Sequence, residues 1–280
     1  MSNILHFNHT GGDEMKLTML GTGNALVTRC YNTCFAMQFP EGNILVDGGG
    51  GSEILARLAR ASISLDDIHH IIVTHKHIDH ILGIIWLIRI IAQHMNKGIY
   101  SGDAYIYGHE EVIALLRSLA QSLLDGKQHR QLDTRIHLMQ VEDGTRLEMA
   151  GHAVTFFDIH STKTKQYGFS IELAYGDCLT CCGDEPCNKA CEPIVRDSAW
   201  LLHEAFCLHS DAEIYKPYEK HHSTVKDAAM LAERLHVRNL LLYHTEDDHI
   251  RMRKVLYTAE AAQYYSGRIF VPDDMETIVI

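Results

Sequence analysis

The 280-residue sequence lacks a long apolar run, and it also lacks a long basic run. Its most apolar stretch, residues 81–91, is shorter than the roughly 18 residues that a membrane span needs, and it carries Arg89. We therefore expect a soluble chain with no membrane partner. The formal net charge of −11 at pH 7 opposes nonspecific binding to nucleic acid, because phosphate backbones are held by clusters of Lys and Arg.

Export signals and disulfides are further features that the sequence does not indicate. The first twenty residues show neither a basic start followed by an apolar core nor an Arg-rich amphipathic pattern, so we expect a cytoplasmic location. In that setting the eight cysteines indicate reduced thiols rather than a disulfide framework. Cys178, Cys181, Cys187 and Cys191 have a spacing that would also suit a structural metal, but buried or partly buried thiols are the favoured interpretation.

No linker rich in Pro, Ser or Gly divides the chain, and short β-branched or alternating runs that end in Gly, Asp or polar residues predict strands throughout. Helical spacing predicts helices over residues 81–95, from about residue 188, over 224–236 and over 250–265. Two halves of this kind predict an α/β fold in which two sheets pack face to face with helices outside. We expect one domain over residues 16–280 and a peripheral extension over residues 1–15.

The stretch IIVTHKHIDH, residues 71–80, places imidazoles and a carboxylate directly after a predicted buried strand. These groups are the ligands that zinc and similar divalent metals prefer. They converge only if the chain turns into the helix that is expected near Ile81. The predicted metal ligands are His75, His77, Asp79 and His80. His69 and His70 precede the strand, so we expect them at its opposite end as surface or structural residues.

The H-x-H-x-D-H spacing of this stretch resembles the signature of the metallo-β-lactamase superfamily, whose fold is a four-layer αβ/βα sandwich with metals bound between the sheets. Further residues follow predicted strands at places that resemble the later ligand motifs, namely His160 in FFDIHST, Asp184 in CCGDE and His244 in LLLYHTED. The resemblance implies two divalent metal ions, with zinc first and manganese or iron as alternatives. One ion would be held by His75, His77 and His160, the other by Asp79, His80 and His244, and Asp184 would bridge them.

Segments around these motifs are similar to the tRNase Z branch of phosphodiesterases. WLLHEAF, residues 200–206, resembles the H-E-A-T segment of that branch, and the stretch HHSTVK from His221 resembles its H-S-T segment. The resemblance implies that Glu204 orients His222, which protonates the leaving oxygen. The chemistry agrees, since a hydroxide that bridges two metals would attack phosphorus and an acid is needed on the opposite side.

These considerations give a predicted catalytic set of Asp79, Glu204 and His222. An imidazole backed by a carboxylate suits proton transfer near neutral pH. The simpler interpretation of His222 is that it only precedes a helix cap at Ser223 or Thr224.

The tRNA-processing enzymes usually carry a long arm between the third and fourth motifs, but here His160 and Asp184 are only 24 positions apart. Two predicted strands and a turn fill that gap. The loop within LGTGNALVTRCYNTCF, residues 20–35, is similar to the P-x-K-x-R-N loop of the tRNase Z branch but departs from it at Val27 and Tyr31. Together with the acidic balance, this favours a small phosphodiester, a cyclic phosphate or another small ester. A tRNA 3′ endoribonuclease is the enzyme alternative, and a metal- or ligand-binding module without turnover is the alternative of another class.

Two surface features remain open at this point. Lys163, Lys165 and Arg29 could meet the negative charge of a substrate, although loop lysines are more often solvated. Part of the helix over 81–95 could support a homodimer, although a place in the core is favoured.

Overall fold

The computed structural model describes residues 15–280 of the chain, which form two seven-stranded sheets and the helices that cover them. The predicted extension over residues 1–15 lies outside the described residues except for Met15. This residue is buried, and its carbonyl accepts a hydrogen bond from Ile280 N at 2.9 Å.

Strands and helices alternate along the first half of the chain. In chain order the elements are β1 (Lys16–Gly21), β2 (Cys34–Phe39), β3 (Gly42–Val46), α1 (Glu53–Arg60), β4 (Ile68–Ile72), α2 (Ile78–Asn96), β5 (Ala104–Gly108), α3 (Glu110–Leu123), α4 (Gly126–His129) and β6 (Ile136–Gln140). Residues 96–135 therefore contain one strand and two helices beyond the end of α2.

The second half begins with antiparallel strands and then alternates again. Its elements are β7 (Arg146–Met149), β8 (His152–Asp158), β9 (Tyr167–Glu172), β10 (Cys178–Cys181), α5 (Glu192–Val195), β11 (Trp200–Glu204), α6 (Ala212–Tyr215), α7 (Val225–Arg234), β12 (Asn239–Tyr243), α8 (Arg253–Ala261), β13 (Arg268–Phe270) and β14 (Thr277–Val279). The helix expected from residue 188 is only the single turn α5, and the helix expected over 250–265 is shorter at both ends.

The strand order is β14-β1-β2-β3-β4-β5-β6 in one sheet and β13-β12-β11-β10-β9-β8-β7 in the other. Strands β3 to β6 run parallel, and so do β10 to β13. Since the carboxyl ends of parallel strands meet at one edge of a sheet, the residues that follow these strands emerge together. Strand β14 pairs antiparallel with β1, a pairing that the division into two halves does not predict.

Apolar side chains fill the space between the two sheets. Phe35 and Met37 of β2 share one buried cluster with Phe156 of β8 and Phe169 of β9. Burying each such side chain contributes about 2 kcal/mol relative to its exposure. The helices pack on the outer faces of the sheets over two further apolar clusters. The result is the four-layer sandwich that the sequence predicts.

Helix α2 is the longest apolar element of the structure. It begins at Ile78 and not near Ile81 as expected, so Asp79 and His80 lie in its first turn. Among the helices described, α2 is the one whose length and mean hydropathy of 1.3 would fit a membrane span, but 61% of that window is buried in the fold. The residues that it buries pack in the core over the first sheet.

The two histidines expected before the strand lie inside it. His69 and His70 belong to β4 and are half-buried. A ring nitrogen of His69 lies 2.9 Å from the carbonyl oxygen of Asp103, and the ring of His70 stacks with that of Tyr105. Their position was predicted wrongly by a few residues, because the strand begins at Ile68. Their contacts are those of structural residues.

A fully buried arginine joins α8 to the segments that flank β1 and β12. Arg253 donates from Nη1 to Thr22 Oγ1 and to Thr245 Oγ1, each at 2.9 Å, and from Nη2 to the carbonyl of Pro272 at 2.8 Å. Thr245 follows His244 directly. The guanidinium therefore helps to fix the turn after β12 against the turn after β1.

We predict that Arg253→Leu lowers the free energy of unfolding by about 3 kcal/mol, because several buried acceptors lose a charged donor at once. The control is Arg251→Leu, which removes the same charge from an exposed position and is expected to change stability by less than about 0.5 kcal/mol. Urea denaturation of both variants measures the difference. Equal stabilities of the two variants would contradict a structural role for the buried guanidinium.

Candidate metal centre

Ionisable side chains from both sheets meet at the edge where the parallel strands end. Asp47 follows β3, Asp184 follows β10 after a short turn, and His244 follows β12 directly. Asp47 and His244 have positive φ values of 58° and 57°, so each turns sharply out of its strand. The strand ends thus deliver buried carboxylates and imidazoles to one place.

Asp184 is the centre of this cluster. Its Oδ2 lies 3.3 Å from His75 Nε2, 3.5 Å from His244 Nε2 and 3.6 Å from His80 Nε2. All four side chains are buried. They come from the segment after β4, from α2, from the turn after β10 and from the turn after β12, so one carboxylate oxygen touches groups from both sheets.

Asp79 and His77 extend the cluster on two sides. Asp79 Oδ2 lies 3.4 Å from His80 Nε2 and 3.6 Å from His244 Nε2. On the other side, His75 Nε2 and His77 Nδ1 are 2.8 Å apart, and His77 is half-buried. The seven predicted ligands are therefore brought together except for His160.

The residues present fit divalent metal ions. Within the described residues, three sets of ligand atoms lie within 4.8 Å of one another: His75, His80 and Asp184; Asp79, His80 and His244; and Glu204, His222 and His244. His80 Nε2, Asp184 Oδ1 and both ring nitrogens of His244 are buried without a hydrogen-bond partner. Unpaired buried polar atoms are unfavourable in a folded protein, and nitrogen and oxygen donors of this kind suit zinc.

The charge state of the carboxylates also suits a cation. Burial opposes ionisation of Asp79 and Asp184, but the neighbouring imidazoles outweigh it and hold the pKa of both carboxyls well below the usual value. Both groups are therefore ionised at neutral pH and can act as anionic ligands.

His160 is placed differently from the other predicted ligands. Its side chain is exposed, its φ is +55°, and its backbone N–H donates to Asp158 Oδ1 at 2.7 Å. It belongs to none of the described sets of close ligand atoms. Its role as a ligand stays a prediction.

Asp47 orients the cluster from behind, and the sequence analysis missed it. His80 Nδ1–H donates to Asp47 Oδ2 at 2.7 Å, which leaves Nε2 of the same ring turned to the cluster. Thr74 fixes the carboxylate through its N–H at 2.9 Å and its hydroxyl at 2.8 Å. The available signal was an aspartate that ends the buried strand NILVD before a run of glycines.

Glycines on both sides of the contact let α2 lie close to the turn after β3. A Cβ at Gly83 would lie 1.8 Å from the carbonyl oxygen of Gly48. The Gly48 N–H donates to the His80 carbonyl at 2.9 Å, and the Gly83 N–H donates to the Gly49 carbonyl at 3.0 Å. The first turns of α2, which carry Asp79 and His80, are thereby held against the end of β3.

Glu204 and His222 form a carboxyl–imidazole pair beside the cluster. Glu204 ends β11 and is fully buried, with Oε1 accepting the Ser223 N–H at 2.5 Å and Oε2 lying 3.7 Å from His222 Nδ1. The His222 ring stacks on Phe206 with centroids 4.8 Å apart and lies 5.1 Å from the ring of His244. The helix cap is provided by the next residue but one, Thr224.

Burial shifts both members of this pair towards their neutral forms. It raises the pKa of Glu204 well above its usual value, against the hydrogen bonds from Ser223. Burial, reinforced by His244, lowers the pKa of His222 to about 3. The pair therefore holds a carboxylic acid next to a neutral imidazole.

A family model described as "Anti-Pycsar protein Apyc1" matches residues 15–263. The chain belongs to this family. It is also similar to the ribonuclease Z of Thermobifida fusca (strain YX), with 24% identity over 95% of this chain and 94% of the relative. The ribonuclease Z of Pyrobaculum arsenaticum is 25% identical over 95% of this chain and 98% of the relative.

Solved structures share the fold of this Apyc1-family chain at low sequence identity. The metallo-β-lactamase fold protein YhfI from Bacillus subtilis has a TM-score of 0.76 at 18% identity and covers 95% of this chain and 100% of its own. The short form of human tRNase Z has a TM-score of 0.71 at 19% identity, with coverages of 94% and 98%. The predicted α/β metallo-β-lactamase sandwich and the likeness to tRNase Z are confirmed, and the chain is a metal-dependent hydrolase.

The cysteines of this Apyc1-family chain are all free. Within residues 15–280, none of the close ligand sets contains a cysteine. Cys191 Sγ donates to the Asp158 carbonyl at 3.3 Å, and Cys182 is buried in the apolar cluster under α7. The cysteines are thus free of disulfides, and the choice between thiols and a structural metal stays a prediction.

We predict that Asp47→Asn weakens metal binding about 10- to 100-fold, because the two carboxylate oxygens accept from Thr74 and from His80 at the same time and an amide has only one oxygen. Competition with a chromophoric zinc chelator measures the affinity. Asp177→Asn, which removes a half-exposed carboxylate in an ion pair with Arg238, is the matched control and should leave the affinity unchanged. An unaltered affinity in Asp47→Asn would show that this carboxylate does not support the ligand.

Proposed function

We propose that this Apyc1-family hydrolase cleaves a small phosphodiester or a cyclic phosphate with the help of two divalent metal ions, zinc in the first place. The observation that carries the proposal is the position of Asp184 Oδ2, which lies 3.3–3.6 Å from three buried imidazoles next to the Glu204–His222 pair. A carboxylate shared between ligand groups suits two neighbouring cations, and an imidazole–carboxyl pair beside them suits proton transfer.

The proposed ligands divide into two groups that share Asp184. His75, His77 and His160 would hold one ion, and Asp79, His80 and His244 the other. When bound, two such cations would activate water and neutralise the charge on the phosphate. The support for this division is that the short contacts of His77 run to His75, whereas those of Asp79 run to His80 and His244.

In this proposal His222 is the general acid and Glu204 its positioning residue. Nδ1 of His222 faces Glu204, so Nε2 is the ring atom that can reach a substrate. Nε2–H would give its proton to the leaving oxygen while Nδ1 accepts the proton of the Glu204 carboxyl. The separation of 3.7 Å exceeds a hydrogen bond, but such contacts often tighten only when substrate is bound.

A small substrate is favoured over tRNA by the shape of the chain near the site. Strands β9 and β10 and the short turns around them fill the stretch from His160 to Asp184, which leaves no segment for a long arm. The net charge of −11 also disfavours a polyanion. The relatives named ribonuclease Z keep tRNA 3′ processing as the alternative, and cleavage of a 3′-extended pre-tRNA by the purified chain would favour it.

The function is tested with elemental analysis and a chromogenic phosphodiester. We expect about two metal equivalents per chain, since two ligand groups are present, and hydrolysis of bis(p-nitrophenyl) phosphate that stops when a chelator removes the metals. A chain that carries metals but hydrolyses neither this diester nor a cyclic phosphate would contradict the proposal and favour a binding module without turnover.

We predict that His222→Ala lowers kcat for a cyclic phosphate with an alkoxide leaving group by about 10²- to 10⁴-fold, because such an oxygen needs a proton in order to leave. The metal content should stay unchanged. His209→Ala removes an exposed imidazole outside the cluster and is expected to keep wild-type kcat. Full activity of His222→Ala with its metals intact would remove this residue from the mechanism.

A cytoplasmic location and a homodimer are the remaining parts of the proposal. Eight free thiols suit a reducing compartment. Ile78 and Trp86 of α2 are exposed and lie two helical turns apart, so they offer apolar surface to a second copy. Sedimentation of the full chain would decide the oligomeric state.

A further inference from the structure

The segment from Ser161 to Lys165 is fixed beside the metal centre by contacts at three points. The Ser161 hydroxyl donates to Glu185 Oε1 at 2.8 Å, next to Asp184 in the chain. The Thr162 hydroxyl lies 2.8 Å from His221 Nδ1, next to His222. At the end of the segment, Lys165 Nζ donates to both carboxylate oxygens of Glu110 at 2.9 Å. The segment therefore connects the surroundings of Asp184 with those of His222.

Lys163 lies between these contacts and carries a positive charge that is not used in an ion pair of the segment. Its side chain is exposed, and it takes part in none of the ion pairs within 4.0 Å that the described residues form. Two other lysines are engaged in ion pairs, Lys165 with Glu110 and Lys76 with Glu111. Two backbone N–H groups, those of Lys163 and Thr164, also donate to the Ser161 hydroxyl at 3.2 Å, which holds the turn in place.

The contacts of the two preceding residues place Lys163 beside the site. One of these contacts runs to the neighbour of Asp184 at the metal end of the cluster, and the other runs to the neighbour of His222 at the acid end. A substrate that spans both ends would therefore place its anionic group near this turn.

A cation outside the metal centre adds to the binding of an anionic substrate. Asp47, Asp79 and Asp184 are buried carboxylates of the cluster, and they would offset most of the positive charge of two divalent ions held there. Arg29, the other basic residue considered near the site, is engaged with the carbonyls of Asp247 and Asp248. Lys163 is free to turn towards an incoming phosphate, and a lysine on a short fixed turn binds phosphate as a point charge.

We propose that Lys163 binds a non-bridging phosphate oxygen of the substrate and thereby positions the phosphodiester between the metal centre and His222. This inference rests on the proposed phosphodiesterase function and adds the residue that recognises the anion. Its contribution is to substrate binding, because the charge of a non-bridging oxygen is present before the reaction as well as during it.

The test compares three variants of the metal-loaded full chain with bis(p-nitrophenyl) phosphate as substrate. Lys163→Ala is expected to raise KM about tenfold and to change kcat by less than about twofold. Lys163→Arg, which keeps the positive charge, should restore most of the affinity. The control is Lys97→Ala, which removes the same charge from an exposed lysine at the far end of α2, about 28 Å along the helix from its first turn. It should leave KM unchanged.

Calorimetric titration with inorganic phosphate gives a second readout that does not depend on turnover. We expect Lys163→Ala to weaken phosphate binding about tenfold and Lys97→Ala to leave it unchanged. The proposal is overturned if phosphate affinity and KM are unaltered in Lys163→Ala, or if both lysine variants change them equally. A wild-type chain that binds phosphate through Lys163 but hydrolyses no diester would contradict the proposed function and leave the assignment of Lys163 standing.

Discussion

The burial of Asp184 among three imidazoles is the constraint on which the rest of the site depends. An ionised carboxylate is stable in a protein interior only if positive charge or strong hydrogen-bond donors surround it. Here the partners come from elements of both sheets, so the two sheets are joined by polar contacts as well as by the apolar core. Metal binding at this point would therefore stabilise the packing of one sheet against the other.

The sequence predicted those features that depend on local pattern. Histidines and aspartates that follow β-branched runs marked the strand ends, and the structure places most of them together. Asp47 could not be found in this way, because its role depends on Thr74 and His80, which lie 27 and 33 positions further along the chain. The start of α2 was placed too late, since the sequence shows no capping side chain before Ile78.

The similarity to ribonuclease Z identifies the fold but does not identify the substrate. The sandwich and the polar edge of its sheets are common to proteins with different substrates, so the fold alone does not select among phosphoesters. In this chain the selection falls to the short connections around the site. The segment between β8 and β9 is one of them, and its contacts with Glu185 and His221 hold it over the cluster.

The pairing of β14 with β1 also affects how the molecule meets other copies of itself. Without β14, the six-residue strand β1 would form the open edge of its sheet and offer unpaired backbone groups to another strand. β14 covers that edge and has only three residues, and β13 ends the second sheet with three residues as well. Such short strands give a second chain little to pair with, so β13 and β14 protect these two of the four sheet edges against edge-to-edge pairing.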